Sequence, residues 1–350
     1  VKVGVLTFHR CINYGSYWQA RCLVEGLRGM GHDARLLDHD DVTARRAEWR
    51  NAFQPRLPVR TTRNDIAGYG AKARRFLAAF DALPQTPRFD LNEPWRAEPQ
   101  DAIVIGSDEV WNFSHPWYGW KPAFFGDFLP AGRRIAYAAS FGSHDAARGI
   151  HPDWAAKLAR FDAISVRDAN SRELVQASTG RDPTVVLDPV LQFPPAEPEA
   201  GARGGHVAVY GHGFPDWFVG NVRAWASQRG LRLVSIGYRN DWADESVIDL
   251  APEAFPAQIA GAAAVTTNFF HGCVFALRFG RPFVCAVSDY RRNKLRDLTD
   301  KLGAARHLVD ATTEAGDYSA LLDAPLDLEI AGRIAQLREQ SGAFLATALG

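Results

Sequence analysis

The segment Thr266-Thr267-Asn268-Phe269-Phe270-His271-Gly272 gathers the residue types that move protons beside an anion. An apolar run ends, a polar turn follows, and His271 opens a helical stretch. A histidine in the first turn of a helix stands where backbone N–H groups and the helix dipole favour negative charge. That suits His271 as a general acid next to a phosphate or carboxylate, with Asn268 as a polar contact in the same turn. A capping or packing histidine is the alternative reading of the same spacing. As an acid at a cleft surface, His271 is expected to carry little core packing.

Other candidates follow apolar runs in the same way. Asp108, in Gly106-Ser107-Asp108, either caps the next helix or acts on a substrate hydroxyl. Arg167 either pairs locally with Asp168 or binds an anion. Asn13-Tyr14-Gly15 is a turn or a ligand loop, and Ser140 ends a further run. Arg291, Arg292, Lys294 and Arg296 put cations at four of six positions. They form a solvated helix face or a phosphate clamp. The chain has neither of the glycine-rich phosphate fingerprints, no zinc-ligand spacing and no nucleophile elbow.

The elements that must position these residues alternate strand and helix. Apolar runs at 1–8, 33–38, 102–105, 134–139, 163–167 and 184–187 read as strands, with helices near 16–30 and 154–161. Residues 41–100 read as an insertion of helices and loops, with one amphipathic helix near 71–83. The stretch 194–205, with three prolines and three glycines, reads as a linker. Strands at 206–211, 232–236, 264–267 and 282–287 then alternate with helices at 217–229, 252–262 and 270–280. A last helix over 328–349 is placed to pack back on the first domain. The fold class is therefore α/β, with two doubly wound, Rossmann-like domains over 1–195 and 206–350. In such sheets ligands sit beyond the carboxyl ends of the strands. Asn13, Asp108, Ser140, Arg167 and His271 all fall there, which argues for a cleft site. The aromatic stretch 111–128 reads as packing or as a wall for a flat substrate such as a sugar.

Composition excludes several partners. The 350 residues carry zero formal net charge and no basic block, which argues against a nucleic-acid surface. No apolar run approaches the ~20 residues of a spanning helix. The four cysteines, Cys11, Cys22, Cys273 and Cys285, read as free thiols of a cytoplasmic protein.

Taken in order, these segments resemble the polysaccharide pyruvyl transferase family. The resemblance rests on Asn13-Tyr14-Gly15 with Gln19, Gly106-Ser107-Asp108 with Trp111-Asn112, and Ala138-Ala139-Ser140-Phe141-Gly142. It continues through Ser165-Val166-Arg167-Asp168 with Ser171, Leu187-Asp188-Pro189, and Thr267 to Gly272, and ends on Pro282-Phe283-Val284 and Lys294. It implies the two-domain GT-B fold, phosphoenolpyruvate as donor, and transfer of pyruvate to a sugar as a ketal with release of phosphate. No metal or redox cofactor is implied. The resemblance makes His271 the acid or phosphate contact, Arg167 a donor-binding cation and Lys294 a phosphate contact. Asp108 is the second catalytic candidate. Asn13, Gly15, Ser140, Asn268 and Arg292 complete the expected substrate contacts. Some relatives carry an arginine two residues before the motif histidine. That place is Phe269 here, and Arg278, two turns along the helix, is a candidate substitute. A lipid-linked acceptor would bring the enzyme to the inner membrane face. The alternatives are a glycosyltransferase of the same fold using a nucleotide sugar, a relative acting on a small metabolite, and a relative that serves as a binding partner.

Overall fold

A computed structural model describes residues 1–197, 205–287 and 292–350, the side chain of Arg292 excepted. The first part of the chain runs β1 (Lys2–Leu6), α1 (Tyr14–Gly29), β2 (Asp33–Leu36), β3 (His39–Asp40), α2 (Val42–Phe53), α3 (Arg63–Asp81), β4 (Phe89–Asp90), β5 (Gln100–Ile105) and β6 (Ala131–Ala139). It continues through α4 (Pro152–Ala159), β7 (Ala163–Val166), α5 (Ala169–Thr179), β8 (Thr184–Val185) and α6 (Pro189–Gln192). After residue 205 come β9 (His206–Tyr210), α7 (Asp216–Gln228), β10 (Arg232–Ile236), β11 (Glu245–Val247), α8 (Phe255–Ala260), β12 (Ala264–Thr267) and α9 (Phe270–Arg278). The chain closes with β13 (Phe283–Ala286), α10 (Arg292–Leu302), β14 (Leu308–Val309), α11 (Ala315–Asp323) and α12 (Leu328–Leu349).

The chain divides into two compact units. The first comprises Val1–Glu48, Phe80–Pro194 and Ile334–Gly350; the second comprises Trp49–Ala79 and Pro195–Arg333. Each is built on one six-stranded sheet. In the first the order is β2-β1-β5-β6-β7-β8, and in the second β11-β10-β9-β12-β13-β14. All strands pair in parallel: Val3 lies opposite Ala34 and Ala102, and Val209 opposite Ser235 and Thr266. Parallel sheets need helices on both faces, so their strands are apolar throughout. Val3, Val5 and Leu6 of β1 and Val207, Ala208 and Val209 of β9 are accordingly fully buried.

The aromatic stretch around 111–128 mostly packs inside the first unit. Trp111, Phe124 and Phe125 are buried, and Trp111 donates from Nε1 to the carbonyl of Phe124 at 2.8 Å. The second core gathers Val207, Val209, Phe218, Val222, Val284 and Tyr318.

Residues 49–79, expected as part of an insertion in the first domain, group with the second unit instead. The bonds made by α3 supply the physical reason. Tyr69 Oη accepts from the backbone N–H of Arg239 at 3.0 Å, and Arg239 Nε donates to Asp65 at 3.0 Å. Lys72 donates to the carbonyl of Gly237 at 3.0 Å. None of these partners, 165 or more residues apart in sequence, is legible from local periodicity. Among the described residues, no helix is long and apolar enough to cross a membrane.

Candidate active site

In an open parallel sheet, the crevice for a ligand opens where the strand order reverses. In the first unit that point lies between β1 and β5, because β1 is followed by β2 on one side and β5 lies on the other. The loops after these strands carry Asn13 and Asp108. Asn13 is the N-cap of α1: its Oδ1 accepts from the N–H groups of Gly15 at 2.8 Å and Ser16 at 3.2 Å. Gly15 thus contributes through its amide, inside the capped turn. Ser16 Oγ reaches Asp108 Oδ2 at 3.2 Å, joining the two loops. Beneath them, Thr7 Oγ1 donates to the carbonyl of Ser107 at 2.9 Å, and Ser107 Oγ donates to Gln19 at 3.0 Å.

Arg167 lies against this crevice but is 3% exposed. Its Nη1 donates to Asp188 at 3.2 Å and its Nη2 stands 3.6 Å from Asp108. A local pair with Asp168 is one of the two readings the sequence leaves open; the ion pairs described for Arg167 are with Asp188 and Asp108. The carboxylate of Asp168 is used elsewhere: it caps α5 at Ser171 N and accepts from Ser140 Oγ at 2.6 Å. Burial works against the charge on Arg167, but Asp108 and Asp188, with Glu109 and Asp168, outweigh it and raise its pKa above the ordinary value. Ser140, expected to touch substrate, is fully buried. Its hydroxyl is held between Asp168 and the N–H of Gly142, so it braces two loops.

Glu48, on α2, escaped the sequence reading. It is buried, accepts from Trp117 Nε1 at 2.9 Å, and burial pushes its carboxyl above the usual range. A single Glu in a polar helix gives no local sign of such an environment.

In the second unit the reversal falls between β9 and β12. Gly211 follows β9 with φ +147°, and a Cβ there would lie 2.1 Å from Asn268 Oδ1. The close approach lets Asn268 Nδ2 donate to the carbonyl of His212 at 2.8 Å. Thr267 Oγ1 donates to the carbonyl of Tyr210 at 2.6 Å and accepts from Phe269 N–H at 3.0 Å. These bonds fix the turn that opens α9. The N-cap is Phe269, whose side chain makes no capping bond. The turn thus brings an anion-favouring helix end to the crevice without occupying it by an acidic cap. His271 stands in that first turn, 8% exposed, its ring 5.1 Å from that of Phe270. It is more deeply packed than a residue on an open surface, which corrects the expectation of little packing.

Gly272 allows this geometry. A Cβ at 272 would lie 2.1 Å from Thr267 Oγ1 and 2.6 Å from its Cβ. Gly272→Ala is therefore expected to destabilise by about 1–3 kcal/mol through overpacking. A lowered denaturant midpoint with an unchanged slope would show it, and an unchanged midpoint would contradict it.

Lys294 lies half-buried in the first turn of α10, after β13. The side chain of Arg292 lies outside the described residues, as does Arg291. Arg278 is a correction. It sits at the far end of α9 from His271, seven residues on and about 10 Å along the axis. There its guanidinium donates to Glu197 and to the carbonyl of Pro195, both at 2.7 Å. It is not brought together with Asn268 and His271.

Two sheets of this order, each with its polar loops at the switch point, define an α/β protein with two Rossmann-like domains of the GT-B type. The solved structures agree on the fold. A glycosyltransferase involved in avilamycin A biosynthesis aligns at TM-score 0.51 and 12% identity, over 100% of this chain and 98% of that one. The UDP-GlcNAc 2-epimerase of Neisseria meningitidis aligns at TM-score 0.50 and 9% identity, over 99% of both chains. No curated protein matches the chain in sequence. The family model for polysaccharide pyruvyl transferase matches residues 13–290, and the chain belongs to that family.

Proposed function

We propose that the protein transfers a pyruvyl group from phosphoenolpyruvate to a hydroxyl-bearing acceptor, a sugar or glycan precursor, forming a ketal and releasing phosphate. The observation that carries this reading is His271 in the first turn of α9, with amides and helix dipole favouring an anion at the switch point. Protonation of the donor's methylene carbon by the His271 imidazolium makes an oxocarbenium-like centre at the adjacent carbon. One acceptor hydroxyl adds there, and its proton passes to solvent. The bond from that carbon to the phosphate oxygen then breaks, and a second hydroxyl closes the ketal. One proton ends on the new methyl group and one on phosphate or solvent, so the reaction balances without a redox partner. Lys294 and Asn268 are the candidate contacts for the donor's phosphate in the second unit. Arg167, already paired with Asp188 and Asp108, is assigned to holding the first unit's crevice, with any contact to the donor additional to those pairs.

The test is direct. Phosphoenolpyruvate at about 100 times its Kd should stabilise the protein by about 2.7 kcal/mol, visible as a rise in Tm. Nucleotide sugars at the same concentration should leave Tm unchanged. Phosphate release across an acceptor panel, read by mass for the gain of a pyruvyl group, then names the acceptor. Stabilisation by a nucleotide sugar alone would replace this reading by glycosyl transfer.

A further inference from the structure

We propose that Lys72, carried into the second unit by α3, is a buried positive charge that acts through Tyr238 to draw a phosphorylated, carboxylated anion to the crevice at His271. The proposal rests on the donor reading above and names a residue that reading leaves unused.

The placement carries the argument. Lys72 is 2% exposed, its Nζ donates to the carbonyl of Gly237 at 3.0 Å, and it stands 4.1 Å from the centre of the Tyr238 ring. Tyr238 in turn packs edge-on against Phe269, with ring centres 5.6 Å apart, and lies 5.0 Å from His212. His212, Tyr238 and Phe269 follow β9, β10 and β12, three neighbouring strands. Strand spacing puts the end of β10 about 10 Å from the turn after β12. The ammonium therefore lies behind the aromatic wall of the same crevice. Thr266 to Gly272 contains no Lys or Arg, so the turn itself supplies no fixed side-chain cation.

A lysine is a poor choice for merely docking a helix at this place. Burying an ammonium against a carbonyl and a ring sacrifices hydration that methionine would not need. Desolvation by burial pulls the pKa of Lys72 down to about 7. The charged groups on the packed elements are largely matched: Arg239 by Asp65, and Arg75 by Asp249. Arg56 is matched by Asp241, and Tyr69, Tyr238 and His212 are further titratable groups on these elements. A unit charge about 10 Å from an anion, at an effective dielectric of ~20, changes affinity on the order of tenfold.

The sign follows from the lowered pKa. Below pH 7 Lys72 is charged in the folded protein, attracts the anion and carries its full burial penalty. As pH rises through about 7 the attraction is lost, and the burial penalty then fades between 7 and the unfolded value of 10.5. Lys72→Met should therefore melt at or above the wild type, most clearly below pH 7, while binding the anion more weakly.

Calorimetric titration of the full chain with phosphoenolpyruvate, inorganic phosphate and UDP, at pH 6.5 and 8.5, tests this. Lys72→Met should bind phosphoenolpyruvate about tenfold more weakly than wild type at pH 6.5 and equally at pH 8.5. The donor's own phosphate titrates alike in both proteins and cancels in the ratio. Lys72→Arg, which keeps its charge, should keep its roughly tenfold advantage over Lys72→Met at pH 8.5 as well as at pH 6.5. Equal binding by Lys72→Met and wild type at pH 6.5, or a pH-dependent loss in Lys72→Arg matching the wild type, overturns the proposal. If wild type binds UDP but not phosphoenolpyruvate, the donor reading fails, and a tenfold loss of UDP binding in Lys72→Met at pH 6.5 would still support the charge. Binding of none of the three by wild type overturns both.

Discussion

Arg167→Ala is expected to destabilise the first unit by about 3–5 kcal/mol, the scale for breaking a buried ion pair from one side. Asp188, whose side chain is fully buried, loses the guanidinium 3.2 Å away, and Asp108, 16% exposed, loses its partner at 3.6 Å. Two carboxylates then share a desolvated crevice with no cation from Arg167. Solvent reaches Asp108 and softens its share, so the penalty falls mainly on Asp188. At ~2–4 °C per kcal/mol for a unit of this size, Tm should fall by on the order of 10 °C in a calorimetric scan. Arg167→Lys should recover part of the loss, because a single ammonium cannot serve two carboxylates as a planar fork does. The consequence for activity is specific. A fall in turnover in Arg167→Ala has to be read against a weakened fold, and a role in holding the donor shows only in Arg167→Lys at a temperature where both proteins are folded. A Tm within about 2 °C of wild type would remove the structural role and restore Arg167 as primarily a donor-binding cation.

Much of the architecture is legible in sequence because parallel strands are buried on both faces and read as continuous apolar runs. The runs at 102–105, 206–211 and 264–267 coincide with β5, β9 and β12 to within a residue or two. What escapes is set by partners distant in sequence. The strand β11, Glu245–Val247, is short and partly exposed, and pairing with β10 rather than its own pattern makes it a strand. The helix α3 shows its period, but its attachment to the second unit depends on Asp65, Tyr69 and Lys72 meeting the loop after β10. The same division holds at the site. Strand-end position points to Asn13, Asp108 and His271, because the switch-point rule is a property of strand order. It cannot tell that Ser140 is sealed inside, that Arg167 pairs with Asp188, or that Arg278 is committed to Glu197. Those outcomes depend on which carboxylates the folded loops bring within reach.

The sharpest expectation concerns His271. His271→Asn should lower kcat by about 10²–10⁴-fold, the range for loss of a general acid, while phosphoenolpyruvate binding changes only a few-fold. Asparagine is the informative replacement because the site is packed. With 8% of its surface exposed and its ring 5.1 Å from that of Phe270, His271→Ala would leave a cavity and mix a stability loss into the kinetics. Asparagine keeps polar atoms near the inner ring nitrogen and fills part of the space, but its amide cannot deliver a proton at neutral pH. The split between kcat and binding separates the roles. If His271 instead bound the phosphate, its replacement would weaken binding by a charged hydrogen bond, about 1.5–3 kcal/mol, and leave the proton to another group. A packing residue would lower Tm and spare kcat. Only an acid acting in the transition state predicts a large fall in kcat, a near-constant Kd and a Tm within a few degrees of wild type. If His271→Asn remains folded and turns over at near-normal rate, the proton at the methylene carbon comes from elsewhere. The family would then stand while the mechanism proposed for this chain would not.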